Sequence, residues 1–393
     1  MANSQPMMLY ADAIEHLIYS MQSGNNEKEV RDLRMAIQTG YREVAYETDW
    51  KYYWGVGQVI LNAPQSSSTI TYDHTGGASE RLLTLASGTW PTWARFGRIK
   101  IANVVYPIAA RLSDTTLQLD EDVNPGADVA ALTTYLLFQN QYALPSDFRR
   151  IGRIFNENNA QETGAMDQEH WLGLERSGPT SGTASRYSVL ANPDLGGQMM
   201  LVIDPYPASA ATLQFIYQRS YRPIRHTGFE GANTVGTIAC SAGGTTVTGT
   251  LTTFAADMVG SFIRIGTVND LPDGIGGSKP FVEQAKIVSR ASATSLEVYP
   301  AFTYAATASK YRISDPIDIA QTMQTAFLRC IELELMMARK TSAAGLERYQ
   351  QAARMSLNSA RERDSAFISE RVAERNAERQ VGNDLVGTVD VDT

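Results

Sequence analysis

The middle of the chain contains acidic residues that could do hydrolytic chemistry. Glu162, Asp167, Glu169 and Glu175 surround Trp171. Paired carboxylates cleave glycosidic bonds, and a neighbouring aromatic side chain can stack on a sugar ring. The same residues, bounded by glycine and serine, also fit an acidic surface loop, which we favour. A peptidoglycan hydrolase that uses Glu162 or Glu169 is therefore the weakest of the functional hypotheses.

A second acidic stretch has the spacing with which a calcium-binding loop begins. Asp120, Asp122 and Asn124 occupy the first, third and fifth positions of such a loop. The sixth position is Pro125 where glycine is needed, and the twelfth is Ala131 where a bidentate glutamate is needed. We therefore predict an Asx/Pro turn here and no calcium site.

No other residues have the spacing of a catalytic or cofactor site. The run GVGQVI at 55–60 lacks the third glycine of a dinucleotide-binding fingerprint. Neither a phosphate-binding loop with its lysine nor a serine nucleophile elbow occurs. The four histidines share no spacing typical of metal ligands: His16, His74, His170 and His226. The sequence predicts a protein that is not an enzyme and binds neither a metal nor a cofactor.

The composition is that of a globular protein with little attraction for nucleic acid. Of the 393 residues, 43% are hydrophobic, which is enough for a sizeable core in two or three domains. The formal net charge of −8 has the wrong sign for a protein whose main task is to hold phosphates. The two cysteines, Cys240 and Cys330, are expected to be buried thiols rather than a disulfide.

Neither a secretory signal nor a membrane-spanning helix is expected. The start MANSQPMMLYADAIEHL lacks a charged region followed by an apolar one, and long apolar runs occur nowhere. We therefore expect a protein made in the cytoplasm, without membrane contact, that stays soluble or joins an assembly.

Helical patterns occur at both ends of the chain. Near the start, apolar residues recur every three or four positions in two runs: Leu9, Ala13, Leu17 and Met21, then Val30, Leu33, Ile37, Tyr41, Val44 and Ala45. Near the other end, Asp315 is the expected N-cap and Pro316 the first residue of a long helix. Gly345 is expected to separate this helix from a last one, which runs from Leu346 to about Gln380.

A nine-residue phrase occurs twice in the β-rich middle of the chain. RLSDTTLQL at 111–119 and RASATSLEV at 290–298 are 179 positions apart. Upstream, WARFGRIKI at 93–101 aligns with VGSFIRIGT at 259–267 at an offset of 166, which predicts a 13-residue insertion near 269–280. We interpret the two stretches as similar copies of one β module. Chance similarity of two hairpins is the alternative.

These patterns predict an α+β protein. A helical bundle formed by the N- and C-terminal helices carries inserted β-barrel or β-sandwich modules (two similar copies) and a long C-terminal helical extension. The predicted segments are 1–54 with 315–345 (helical bundle body), 56–150 (first β module), 151–233 (β-rich or irregular linking region), 234–313 (second β module) and 346–393 (C-terminal helix and tail).

Two stretches of the sequence resemble a known family. YALPSDFRRIGRI at 142–154 follows a β-rich stretch, and an N-terminal helix ends in the aromatic cluster Trp50, Tyr52, Tyr53 and Trp54. This combination resembles the head-to-tail adaptor proteins of short-tailed bacteriophages, also called tail accessory or head-completion proteins.

The resemblance implies a structural virion protein without catalysis. Such adaptors form a ring, typically of twelve copies, between the portal protein of the capsid and a tail or nozzle protein. DNA passes through the ring during ejection without being bound specifically. The C-terminal extension, here 346–393, would reach the portal. The protein would assemble in the host cytoplasm and remain at the head–tail junction of the virion.

The last helical run carries its charges in sorted columns. Arginines and glutamates each recur every fourth residue within 370–379, and like charges at that spacing repel one another along an isolated helix. Such a helix indicates a segment that lies between other chains, although a solvated, frayed tail is the alternative. The expected portal- or subunit-binding residues are Phe367, Ile368, Arg371, Val372, Arg375, Arg379, Leu385 and Val386.

A receptor- or carbohydrate-binding tail protein is the main alternative function. Trp90, Trp93 and Trp171 would then be sugar-stacking platforms, although buried core tryptophans are the simpler interpretation.

Overall fold

The computed structural model places most of the chain in two compact units. One unit is Tyr53–Ser220, and the other combines Met1–Tyr52 with Tyr221–Thr393. For residues 366–384 only the backbone is described. The described residues are 7–21, 27–74, 80–156, 161–162, 164–167, 169, 180–192, 196–274, 277–339 and 342–384.

A closed six-stranded barrel forms one part of the unit Tyr53–Ser220. Its strands follow the order β2-β3-β6-β5-β4-β7 around the barrel. Alternate residues of each strand point into a shared apolar core, as expected for strands with one buried face. The strands are β2 (Thr69–Asp73), β3 (Leu82–Leu85), β4 (Arg98–Ile101), β5 (Val104–Arg111), β6 (Thr116–Leu119) and β7 (Val129–Phe138).

Two further sheets of this unit share a second core, which includes Tyr142, Leu201 and Phe215. The first has the order β1-β16-β9-β10: β1 (Trp54–Leu61), β16 (Ala211–Arg219), β9 (Phe148–Asn156) and β10 (Gln161–Glu162). The second has the order β11-β13-β14-β8: β11 (Gly164–Ala165), β13 (Arg186–Asn192), β14 (Gln198–Asp204) and β8 (Gln141–Ala143). A short parallel pair joins β12 (Ser181–Gly182) to β15 (Tyr206–Pro207).

The other unit contains a seven-stranded half-barrel sheet of order β22-β17-β18-β21-β20-β19-β23. Its two edge strands, β22 and β23, are separated in the chain by Lys310 alone. The strands are β17 (Thr237–Cys240), β18 (Thr246–Thr250), β19 (Phe262–Ile265), β20 (Glu283–Ser292), β21 (Ser295–Tyr299), β22 (Ala306–Ser309) and β23 (Tyr311–Ser314).

The half-barrel sheet and the barrel have the same strand order. The series β17-β18-β21-β20-β19 matches β2-β3-β6-β5-β4, and β22 with β23 takes the place of β7. The registers agree as well, because Leu83 lies opposite Leu117 in the barrel and Val247 lies opposite Leu296 in the half-barrel sheet. In both sheets the repeated phrase forms a hairpin, β5–β6 or β20–β21, and the second strand of that hairpin takes part in this register.

The register corrects the predicted position and length of the insertion. Ile99 of β4 corresponds to Ile263 of β19, an offset of 164 rather than 166, and both side chains are buried. The tight turn at 102–103 is replaced by the loop 266–282, which is 15 residues longer rather than 13. The offset therefore grows from 164 before the loop to 179 at the repeated phrase.

Four α-helices occur among the described residues, all in the unit with the half-barrel sheet. They are α1 (Tyr10–Ser20), α2 (Glu27–Tyr46), α3 (Gln324–Ala338) and α4 (Ala343–Asp384). The first two confirm the predicted N-terminal helices. α2 packs closely against α3 at Gly40, where a Cβ atom would lie 2.9 Å from Cγ2 of Ile331. No described helix qualifies as a membrane span.

Two predicted helix boundaries are wrong. Asp315 and Pro316 do not begin a helix, because Leu9 forms an antiparallel β-bridge with Pro316 and α3 starts only at Gln324. Gly345 does not separate two helices, since it lies in the first turn of α4. The mixed α+β class is confirmed, whereas the single helical bundle stays a prediction.

Candidate functional site

The predicted Asx/Pro turn is confirmed. The Oδ1 atom of Asp120 accepts hydrogen bonds from the backbone N–H groups of Asp122 (2.9 Å) and Val123 (3.2 Å). Asn124 Oδ1 accepts one from Gly126 (2.9 Å). Within the described part of the chain, no three His, Cys, Asp or Glu side chains are placed to hold a metal ion.

The predicted sugar platforms are not supported where they are described. Trp90 is buried in the barrel core and contacts Tyr135 edge-on, with ring centroids 5.1 Å apart. Trp93 packs partly buried against the same core. Asp167 and Glu169 are exposed, whereas the side chain of Glu162 and all of Glu175 and Trp171 lie outside the described residues.

Both cysteines are free and buried, as predicted. Burial raises the pKa of the Cys330 thiol in α3 to about 12, so this thiol is protonated at neutral pH.

The buried carboxylate of Asp315 connects four segments of its unit. Its oxygens accept hydrogen bonds from the backbone N–H groups of Arg225 (2.6 Å) and His226 (2.9 Å), the hydroxyl of Ser261 (2.7 Å) and the guanidinium of Arg222 (3.3 Å). Its carbonyl oxygen accepts the N–H of Tyr10, the first residue of α1 (2.8 Å). The residue predicted as a helix cap therefore joins the N-terminus to the end of the half-barrel sheet.

Burial alone would raise the pKa of Asp315. The hydrogen bonds from His226, Arg225 and Ser261 and the charge of Arg222 outweigh burial and lower the pKa. Asp315 is therefore a charged structural group at neutral pH.

A second buried group of charges binds α1 to the outer face of the half-barrel sheet. Arg264 of β19 and Arg312 of β23 lie directly opposite each other, and both are buried. Arg264 donates two hydrogen bonds to the Asp12 carboxylate, at 2.6 and 2.8 Å. Arg312 pairs with Glu15 at 3.4 Å and with Asp273 at 3.9 Å. The three carboxylates offset the repulsion between the two arginines.

The long loop 266–282 completes this charge cluster. The backbone N–H of Gly274 donates to Oε2 of Glu15 at 2.6 Å, and the ring of Phe281 lies 4.5 Å from the Arg264 guanidinium carbon. Burial raises the pKa of Glu15, while the hydrogen bond from Gly274 and the charge of Arg312 oppose that rise. The loop therefore supplies contacts that hold α1 in place.

The two ends of the chain also meet through the helices. Tyr41 of α2 donates its hydroxyl to the carbonyl of Arg222 (3.1 Å) and accepts the N–H of Asp318 (3.0 Å). His16 of α1 contacts Glu332 of α3 at 2.8 Å. These contacts bring the segment before residue 50 against the segment after residue 315.

One carboxyl group of α3, that of Glu334, titrates near neutrality. Burial, followed by the charge and hydrogen bond of Glu43, raises the pKa of Glu334 to about 7. This part of the helix pair therefore gains negative charge as the pH rises through 7.

The first half of α4 is fixed to its own unit. Ala353 and Ala360 are buried, Arg361 forms an ion pair with Glu47 just after α2, and Asp364 accepts the N–H of Lys51 at 3.3 Å. The helix continues for twenty residues beyond Asp364, which corresponds to about 30 Å.

The predicted docking residues belong to this continuation or follow it. Leu385 and Val386 lie outside the described residues. The other six lie in the second half of α4: Phe367, Ile368, Arg371, Val372, Arg375 and Arg379.

A surface that sequence reasoning missed lies on the sheet β1-β16-β9. Val56 and Ile60 of β1 are 74% and 66% exposed, and Ile216 of β16, directly opposite Val56, is 39% exposed. Arg150 and Arg153 of β9 are exposed on the same face by register. The sequence of β1 could have indicated this surface. Val59 and Leu61 face the core while Val56 and Ile60 face outward, so the strand has two apolar faces.

Comparisons with known proteins give no match: no family model, curated protein or solved structure corresponds to this chain.

Proposed function

We propose that this chain is a structural virion protein, a head-to-tail adaptor whose ring connects the capsid portal to the tail. The observation that carries the proposal is α4. Its first half is anchored on the body by Ala353, Ala360 and Arg361, and its second half extends the helix by about 30 Å beyond the last anchoring contact.

The proposal gives each part of the chain a separate task. The helices of 1–54 and 315–345 form a helical bundle that is the body of the ring. The two β modules contact tail or nozzle components, and 346–393 docks in crevices of the portal. The contacts of Asp315 and Tyr41 support this division, because they join the two chain ends that build the body.

The second half of α4 supplies both kinds of contact that docking needs. Phe367, Ile368 and Val372 provide apolar anchors, and a column of three arginines faces acidic groups of the portal or of a neighbouring copy: Arg371, Arg375 and Arg379. A polar helix of this kind gains stability by lying between other bodies.

The charge of the protein is compatible with a conduit for DNA. Each copy has a formal net charge of −8, so the ring as a whole repels phosphate rather than retaining it. DNA would therefore pass during ejection without specific binding.

Truncation after Ser365 tests the proposal, because it removes 366–393 and keeps every described anchoring contact of α4. We expect the truncated protein to melt like the full chain but no longer to bind purified portal rings in sedimentation. Unchanged portal binding by the truncated protein would show that the proposal is wrong.

A matched pair of charge variants locates the contact on the helix. Replacing the arginine column by glutamine should weaken portal binding, whereas the same change in the neighbouring glutamate column should have little effect. The two sets are Arg371, Arg375 and Arg379, and Glu370, Glu374 and Glu378. Equal effects of both sets would contradict the assigned face.

A further inference from the structure

Strand β1 has a free edge in the part of the chain that the structure describes. It is the outermost strand of its sheet and pairs on one side with β16 over all eight of its residues. Among the described residues, none of its backbone groups bonds to another segment on the opposite side. A long edge strand with exposed Val56 and Ile60 is an open position for one more strand.

Two of the core-facing residues of β1 are glycines and therefore have no side chain. Gly55 and Gly57 alternate with the exposed residues, and a Cβ atom on Gly57 would lie 2.6 Å from the ring of Phe215. Aromatic rings of β16 therefore cover the glycines. A neighbouring strand with larger apolar residues at these positions would extend the core along the rings.

The last nine residues of the sequence have the pattern of a strand that fits this edge. In LVGTVDVDT at 385–393, one side carries Leu385, Val389 and Val391, and the other side carries Asp390 and Asp392. Residues 385–392 of this segment match the eight residues of β1 in length, and their acidic side would complement the exposed arginines of β9.

We propose that residues 385–392 of a second copy of this chain add to the free edge of β1 as an antiparallel strand. The antiparallel register that pairs Leu385 with Leu61 also pairs Asp392 with Trp54. It places valines against the small core-facing residues and both aspartates on the exposed face. The pairs are Leu385–Leu61, Gly387–Val59, Val389–Gly57 and Val391–Gly55 towards the core, and Val386–Ile60, Thr388–Gln58, Asp390–Val56 and Asp392–Trp54 on the outside.

Charge complementarity supports this register. The guanidinium of Arg150 already reaches across β16 and lies 5.2 Å from the centre of the Trp54 ring. Asp392 would lie next to Trp54 and therefore within reach of Arg150. Two different surfaces meet in this contact, so it is heterologous and can be repeated from copy to copy around a ring.

The inference concerns contacts between copies and stands or falls independently of portal binding. It gives Leu385 and Val386 the subunit-binding role within the predicted set of docking residues and leaves the portal contact of the segment 346–393 to the residues before them.

Disulfide trapping between separately prepared full-length chains tests the inference without portal. One chain carries Gln58→Cys, the other carries Thr388→Cys, and they are mixed under mild oxidation. The native Cys240 and Cys330 are buried and should not react. We expect roughly tenfold more cross-linked dimer than with Leu251→Cys, an 83% exposed control site, because docking raises the effective thiol concentration.

Two further variants sharpen the outcome. Val389→Pro in the chain with Thr388→Cys removes a backbone donor and should lower the yield about tenfold, whereas Val389→Thr should retain it. Asp392→Asn should weaken the dependence of the yield on salt. A yield at Gln58 no higher than at Leu251, or no loss with Val389→Pro, would overturn the inference. A chain that carries both Gln58→Cys and Thr388→Cys provides a further check. Cross-linking found only within that single chain, and not between two chains, would also overturn the inference.

Discussion

The barrel and the half-barrel sheet share a strand order and differ in how the last strand closes the sheet. In the barrel, β7 is one unbroken strand that pairs with both β2 and β4. In the half-barrel sheet the path divides at Lys310, whose backbone N–H and C=O bond instead to Thr267 and Gly266 of the long loop. The long loop of the second sheet therefore bonds to the residue at which the closing path divides.

The outer faces of the two sheets also differ in the charges that they bury. Arg264 and Arg312 correspond in register to Lys100 and Leu136 of the barrel, both of which are half-buried. The half-barrel sheet can bury two arginines because α1 and the loop bring carboxylates to them. The same strand order therefore forms a closed barrel in one unit and, in the other, a sheet whose outer face binds a helix.

The largest expected effect comes from Arg264→Met. The change removes the charged partner of the buried Asp12 side chain, which then keeps the N–H of Leu9 but no guanidinium bound to it, and this should cost roughly 3–5 kcal/mol of unfolding free energy. The matched barrel change Lys100→Met should stay within about 0.5 kcal/mol. Native-state hydrogen exchange of β19 and β4 amides measures both values.

A double variant checks the cause. Asp12→Leu combined with Arg264→Met removes both charges and should recover most of the loss. If the double variant is as unstable as Arg264→Met, lost packing rather than an unpaired charge explains the effect.

Asp315→Asn should have the next largest effect. Its oxygens accept four hydrogen bonds, so loss of the charge should cost about 2–3 kcal/mol. Gln139 follows β7 at the corresponding place and makes neutral hydrogen bonds with Asn62 and Gln141. Gln139→Ala should therefore cost only about 1 kcal/mol in a urea titration.

The pH dependence separates these two sites. The pKa of Asp315 is lowered on folding, so its contribution is present above the unfolded pKa of about 3.9 and is lost as the pH falls through the folded pKa. Asp315→Asn should flatten the acid side of the stability curve, and Gln139→Ala should not. Parallel acid curves for both variants and the unmodified protein would contradict the role of Asp315.

The repeated phrase predicts a smaller and equal effect in both sheets. Arg111 donates to the carbonyl of Trp90 at 2.9 and 3.2 Å, and Arg290 donates to the carbonyl of Phe254 at 2.8 Å. Arg111→Ala and Arg290→Ala should each cost about 1 kcal/mol. Thermal unfolding of the two variants measures both costs. A large loss of stability in only one of them would contradict the predicted equivalence of the two hairpins.

The last prediction concerns Glu334, which lies in the unit with the half-barrel sheet. Its pKa is raised on folding to about 7, so the stability it contributes when protonated is lost as the pH rises from 4.5 to 7. Glu334→Gln should match the unmodified protein at pH 4 and exceed it at pH 8. A variant that is less stable at pH 8 would contradict the raised pKa.

The sequence was informative where the relevant contacts are local. The apolar periodicity of α1 and α2 and the repeated hairpin phrase both depend on neighbours within a few residues, and the structure confirms both helices and both hairpins. Asp315 followed by Pro316 satisfies the local rule for a helix start. Pro316 instead forms a β-bridge with Leu9, which lies more than 300 positions away in the sequence, so the local pattern does not determine the structure there.

The charge cluster could not be predicted for the same reason. Arg264 and Arg312 are 48 positions apart and meet only through the register of β19 and β23, and their carboxylate partners come from α1. The exposed face of β1 was readable in part, since apolar residues at both parities indicate a strand covered on two sides.

The mass of the full chain, measured alone and then with purified portal rings, tests the adaptor proposal most directly. We expect the chain alone to be far smaller than a ring. With portal it should form a discrete complex, with a whole-number set of copies, typically twelve, on each portal ring. Full chain and portal that sediment as two separate species at every mixing ratio would contradict the proposal.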